Sequence, residues 1–258
     1  MKKLETLLAD YAASFDIAKV DANVIHQAKR RILDTIGGAL AAYAAPPSRV
    51  ARRWALPVAG LDGARVWGSL VKTSPDMAAF ANGTMLRYLD VNDTYRTLDG
   101  SHPSDNLGGL FAAAEMTHRS GRDLIEAMIV SYEVQCRFVD SVPFNDKGWD
   151  QPVPGAIACA LGVGKLLGLE LGSLKEAIAL AVVPNLCTYQ TRSGELSMWK
   201  GSAAANGARQ GVFAALLAAE GMTGPSEPFD GTFGVWKQTV GAACELKPLA
   251  APGGVFAV

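Results

Sequence analysis

The residues of this sequence whose types and surroundings point to chemistry are a cluster of carboxylates, one histidine and one lysine. The stretch Leu89 to Asn106, LDVNDTYRTLDGSHPSDN, holds Asp90, Asp93, Asp99 and Asp105 together with His102, one of only three histidines in 258 residues. Alanine-rich segments of helical period flank it, so polar groups this dense must be solvated, paired with each other or aimed at a ligand. Asp90 falls where the preceding helix should end, and the helix dipole disfavours a negative charge there by roughly 0.3–1 kcal/mol. An acid so placed is either solvated or needed. His102 lies just before Ser104-Asp105-Asn106, which has the character of a helix start, where free N–H groups favour an anion. An imidazole ordinarily titrates near ~6.5, so a histidine beside that anion can move a proton at neutral pH. Lys200 stands near the start of another helix, a poor place for a cation unless an anion sits between them. Only small residues, Gly201-Ser202-Ala203-Ala204-Ala205, follow it. Together these groups describe a carboxylate-binding site with acid/base partners. No GxSxG, HExxH or Gly-rich phosphate loop after a strand competes with that reading.

The elements that must position these groups are helices. Apolar residues recur at helical spacing through Val24, Ile25, Ala28, Ile32, Ile36 and Leu40, and again through Ile125, Met128, Ile129, Tyr132 and Cys136. Asp21 should cap the first of these runs, Pro46-Pro47 should stop it, and Ser48 should cap a short helix to about Leu56. Ser74-Pro75-Asp76 is a strong helix start, and that helix delivers the chain to Asp90. Pro184 should kink or end a helix beginning at Ser173, and Gly221 should end the last long one. The reading is all-α, with about nine helices and one plausible extended piece around Ala64 to Trp67. The sequence is expected to form one domain over 1–258, with a Gly/Pro-rich tail from about 222 whose last residues, AAPGGVFAV, read as poorly anchored.

Bulk composition bounds the function. With 49% hydrophobic and 19% charged residues, the chain has the makings of a packed core. The formal net charge is -1 and basic residues are dispersed, which leaves nucleic acid without an electrostatic footprint. No apolar run reaches the ~18 residues of a membrane span, and the N-terminus reads as an amphipathic helix rather than a signal peptide. A cytoplasmic location is expected. The four cysteines lack metal-ligand spacing and read as small buried hydrophobes. His26 and His118 lack clustered polar partners and read as structural.

Two long segments carry a family resemblance. The run NGTMLRYLDVNDTYRTLDGSHPSDN, Asn82 to Asn106, strongly resembles the MmgE/PrpD family and within it the 2-methylcitrate dehydratases. The run SMWKGSAAANGARQGVFAALLAAEGMTGP, Ser197 to Pro225, resembles the same family's second signature. RRILDTIGGALAAY and VPFNDKGWD also match. The resemblance implies a multi-helix domain that forms homodimers, with an active site that needs neither metal nor cofactor and handles small polycarboxylates. Implied reactions are dehydration of 2-methylcitrate, decarboxylation of cis-aconitate and epimerisation of an iminodisuccinate. The family's catalytic aspartate, threonine and histidine fall on Asp90, Thr94 and His102, and its lysine on Lys200. Gln151 stands where many relatives have a histidine. The family also carries an α/β lid domain, expected to begin about where this chain ends at Val258.

The expectation is therefore a hydro-lyase. Asp90, His102 and Lys200 are its catalytic candidates, and Thr94, Ser104, Asp105 and Asn106 its substrate contacts. A decarboxylase or epimerase of a related diacid is the second enzyme reading. A non-catalytic or half-site subunit, completed by a separately encoded lid subunit, is the alternative from another class.

Overall fold

The computed structural model describes residues 2–55, 63–70, 72–251 and 253–258. Ten α-helices carry the described residues: α1 (Leu4–Ser14), α2 (Ala22–Ala41), α3 (Pro46–Ala55), α4 (Pro75–Arg87), α5 (Leu107–Met116), α6 (Gly121–Ser141), α7 (Pro152–Leu167), α8 (Leu171–Val182), α9 (Ala203–Ala219) and α10 (Val235–Thr239). Two short antiparallel pairs complete them. β1 (Ala64–Arg65) pairs with β2 (Lys72–Thr73), and β3 (Tyr95–Arg96) pairs with β4 (Gly100–Ser101). The fold is mostly helical, as the periodicity predicts.

Local chemistry explains most boundaries. Asp21 accepts the Asn23 N–H at 2.7 Å and caps α2. Ser120 and Asp123 form a reciprocal capping box at the start of α6. Gly168 ends α7 at φ +73°, a left-handed position that glycine takes without strain. Helix α8 ends at Val182, short of Pro184. One expected boundary differs. Pro46-Pro47 opens α3 rather than merely stopping α2, and Ser48 lies buried within α3 instead of capping it. Proline lacks the N–H that the first helical turn leaves unused, so it starts a helix as readily as it ends one. The expected end of that helix at Leu56 and the turn at 60–62 lie outside the described residues.

Helices α7 and α9 form the centre, with α4, α5, α6 and α8 packed around them. Small residues set the separation. A Cβ on Gly211 of α9 would stand 2.7 Å from both the Ala156 carbonyl oxygen and the Cys159 Cβ of α7. Gly211→Ala is therefore expected to lower stability by about 1–2 kcal/mol, the overpacking exceeding the gain in helix propensity. Gly172→Ala in α8, which meets open space, is expected to be neutral or slightly stabilising. Urea denaturation of the two variants side by side checks both.

The tail is anchored along its length, and for its last residues, 250–258, this is contrary to expectation. Phe229, Val235 and Trp236 are buried against Phe138 and Phe144. The Glu133 carboxylate, fully buried in α6, accepts the Ala250 N–H at 2.7 Å and the Ala257 N–H at 3.0 Å, and pairs with Arg137 at 2.7 Å. A buried charge needs such partners, and here the Gly/Pro-rich segment supplies them. Among the described residues no helix is long and apolar enough to cross a membrane.

Candidate active site

The four carboxylates of the polar stretch meet four different fates, which together build one cleft. Helix α4 ends with Arg87 almost wholly buried, and the chain turns back at Asp90 in a left-handed conformation, φ +59°. Aspartate tolerates that region better than most residues. The turn aims the Asp90 carboxylate at two cations: Oδ1 accepts from Arg87 Nη1, and Oδ2 accepts from Lys200 Nζ at 2.9 Å. Burial raises the Asp90 carboxyl, but hydrogen bonds from Lys200 and Arg87 outweigh it. They hold the group well below the usual carboxylate range. Asp90 is therefore ionised at any working pH.

Asp93 takes the anion position at the 3₁₀ turn Pro103–Asn106. Its Oδ1 accepts the Ser104 N–H at 3.1 Å and the Ser104 hydroxyl at 2.5 Å, while Oδ2 accepts from Tyr132 at 2.8 Å. Asp99 joins the β3–β4 hairpin to the loop after α6 by accepting the Asn145 N–H at 3.1 Å. Asp105 is buried against Arg87 Nε at 3.6 Å and accepts from Asn92 at 3.1 Å. Burial pushes its carboxyl up, with Arg87 and His102 pulling the other way.

His102 follows directly on β4, and the hairpin is docked on α6 through Tyr95 and Thr97, both of which donate to Asp140. The imidazole Nδ1 lies 2.6 Å from the Asp93 carbonyl oxygen. A carbonyl only accepts, so Nδ1 carries the hydrogen and the neutral ring has its lone pair on Nε2. That free nitrogen lies 4.0 Å from Asp90 Oδ1. Thr94 Oγ1 is 3.4 Å from Nδ1. Gln151 accepts the His102 backbone N–H at 2.7 Å and donates to Asp105 at 3.4 Å. In place of a group that moves protons, Gln151 is a brace.

Asp90, Thr94 and His102 from one polar stretch, and Lys200 from another part of the chain, line one open cleft of about 560 Å³. Ser104, Asp105 and Asn106 do not. Their side chains are buried and bonded inside the protein, Asn106 to the Pro103 carbonyl and to Gln135. The expectation that they contact substrate is corrected to a supporting role, because the anion that the helix start favours is the chain's own Asp93. Lys200 belongs to a 3₁₀ turn, Met198–Gly201, ahead of α9, and the anion it needs is Asp90.

Sequence reasoning missed Arg87 and the pair Asp150–Arg192, which also line the cleft. Arg192 Nε donates to Asp150 Oδ1 at 2.7 Å. Arg87 sits at a helix C-terminus, where a cation is ordinary, and Arg192 lies in a polar loop, so neither announces itself by type and place. The available signal was the matching run VPFNDKGWD, which ends at Asp150.

The MmgE/PrpD N-terminal domain matches residues 6–245. The 2-methylcitrate dehydratase of Salmonella typhimurium is 31% identical over 233 residues, which cover 84% of this chain and 47% of that protein. The 2-methylcitrate dehydratase of Cupriavidus necator is 32% identical over 232 residues, with the same two shares. The human cis-aconitate decarboxylase is 29% identical over 249 residues, 89% of this chain and 49% of that protein. The chain spans about half the length of the curated relatives it matches. With a matched domain that embraces every side chain of the cleft, this chain belongs to the MmgE/PrpD family.

Proposed function

We propose that the cleft dehydrates 2-methylcitrate or a closely related hydroxy polycarboxylate. The observation that carries the reading is the convergence of Asp90, Thr94, His102 and Lys200 on one cleft. Names of the relatives supply the substrate class. In this reading His102 Nε2 removes the proton next to a substrate carboxylate, and ionised Asp90 stabilises the imidazolium so formed. The same imidazolium returns its proton to the departing hydroxyl. The carbon–carbon double bond forms as water leaves, and the neutral ring is restored. Lys200 has three N–H donors and uses one on Asp90, which leaves two for the carboxylate on which charge develops. Thr94 orients that carboxylate.

The test is incubation of the purified chain with 2-methylcitrate, followed as absorbance of the conjugated unsaturated acid. Formation of that acid, lost in Lys200→Ala, is the expected result. No product from folded protein overturns the reading for the chain alone. A second reading, decarboxylation of a related unsaturated acid, draws on the human relative. Carbon-13 NMR separates the two, since loss of carbon dioxide and loss of water leave different skeletons.

The proposal extends to partners. Leu33, Leu40, Val50 and Trp54 leave an apolar face of α2 and α3 more than half exposed, which supports a homodimer. Leu98 on the cleft wall, and Val91 and Met198, which lie close in sequence to the cleft residues Asp90 and Lys200, are similarly exposed and support a lid closing over the site, from a separate subunit or from the same protein. Sedimentation of the chain checks the dimer, with Leu40→Glu expected to shift it to monomer.

A further inference from the structure

The Asp150–Arg192 pair has the wrong geometry for a closed structural ion pair. A guanidinium and a carboxylate that serve only each other meet fork to fork, with two parallel N–H···O bonds. Here a single bond joins them, Nε to Oδ1 at 2.7 Å. Arg192 Nη2 and Asp150 Oδ2 are both buried and without a hydrogen-bond partner. An unfilled buried donor of this kind carries a desolvation penalty, which an incoming oxygen on Arg192 relieves. Both residues line the cleft that holds Asp90, His102 and Lys200.

The pair is also tied to the proposed base. Asp150 Oδ1 accepts the Gln151 N–H at 2.8 Å, and Gln151 Oε1 accepts the His102 N–H at 2.7 Å. The guanidinium therefore stands in fixed register with the imidazole, through Asp150 and Gln151. Whatever Arg192 grips is set against His102 Nε2.

We propose that Arg192 is the second carboxylate clamp of the cleft, holding a substrate carboxylate other than the one at Lys200, with Asp150 and Gln151 positioning it. The inference rests on the reading of the cleft as a polycarboxylate site. It accounts for selection of a polycarboxylate over a monocarboxylate. Lys200 alone serves either, whereas Arg192 is satisfied only by a ligand with a further anionic arm.

The experiment is calorimetric binding of citrate, a tricarboxylate probe, and of lactate, a monocarboxylate, to wild-type, Arg192→Gln and Arg192→Lys proteins. Arg192→Gln is expected to weaken citrate about 10- to 100-fold, the range for losing hydrogen bonds to a charged group, and to change lactate less than threefold. Arg192→Lys keeps a cation opposite Asp150 but no fork, and is expected to fall between. It also preserves the test should the glutamine variant not fold. A purely structural role would weaken both ligands alike. Equal citrate affinity in all three proteins, parallel loss of both ligands, or no citrate binding by the wild type overturns the clamp. Turnover separates this from the proposed reaction. Citrate binding through Arg192 in a protein that dehydrates nothing overturns the reaction alone. Normal KM for 2-methylcitrate in Arg192→Gln overturns the clamp alone.

Discussion

Replacing His102 with asparagine is expected to lower kcat for dehydration by about 10²- to 10⁴-fold, the usual contribution of a positioned acid/base group. The argument rests on the division of labour between the two ring nitrogens. Nδ1 is tied to the Asp93 carbonyl at 2.6 Å and serves to orient the ring. Nε2, facing Asp90 at 4.0 Å, is the nitrogen free to move a proton. An asparagine amide can keep the donation to Asp93 while removing Nε2 altogether, so the variant isolates proton transfer from support. His102→Ala removes both. The two variants should be equally inactive, and asparagine should keep the thermal midpoint nearer to the wild type. If asparagine supports turnover within tenfold of the wild type, His102 is a positioning residue and the proton passes elsewhere.

How far this site is legible in the sequence depends on whether a residue is out of place where it stands. Asp90 and Lys200 are charges at the wrong ends of helices, and each misfit is resolved by the other at 2.9 Å. Arg87 is at the favourable end of α4 and so gave no signal, although it holds both Asp90 and Asp105. The helix start at Ser104 correctly called for an anion, but local chemistry does not say whose. Asp93 lies eleven residues back, and Tyr132 fixes it from another helix. The same limit applies to the fold. Helices follow from periodicity and caps, which are local. The β3–β4 hairpin has two-residue strands with no alternation to read, and its support at Asp140 comes from α6, more than forty residues on. The last residues of the tail read as loose by composition because nothing in them points to Glu133 as their acceptor.

Asp90→Asn is expected to abolish turnover and, unlike His102→Asn, to destabilise the fold. The carboxylate is the counter-charge for Arg87, whose side chain is 3% exposed, and for Lys200. Breaking a wholly buried pair by removing one partner costs about 3–5 kcal/mol. Asp90 itself is 43% exposed, and Arg87 keeps Asp105 at 3.6 Å, so solvent and the remaining acid reduce the loss to about 1–2 kcal/mol. The pH dependence gives the prediction its sign. The Asp90 carboxyl is held below its unfolded value, near ~3.9. Its contribution is therefore fully present above that value and is lost only as pH falls through the lower, folded one. The difference in unfolding free energy between wild type and Asp90→Asn should stay constant from pH 8 to 5 and shrink only below about pH 4. Urea denaturation across that range reads it directly. A difference that instead fades between pH 7 and 5 would mean that the Asp90 carboxyl is not held low, since Arg87 and Lys200 stay charged throughout that window. The same ionisation shapes catalysis, because a carboxylate still charged at pH 5 contributes no acid limb to kcat/KM. Any acid limb seen above pH 5 in the wild type then belongs to another group, and His102→Asn identifies it: a limb that persists in the residual activity of that variant excludes the imidazole, and one that vanishes assigns it.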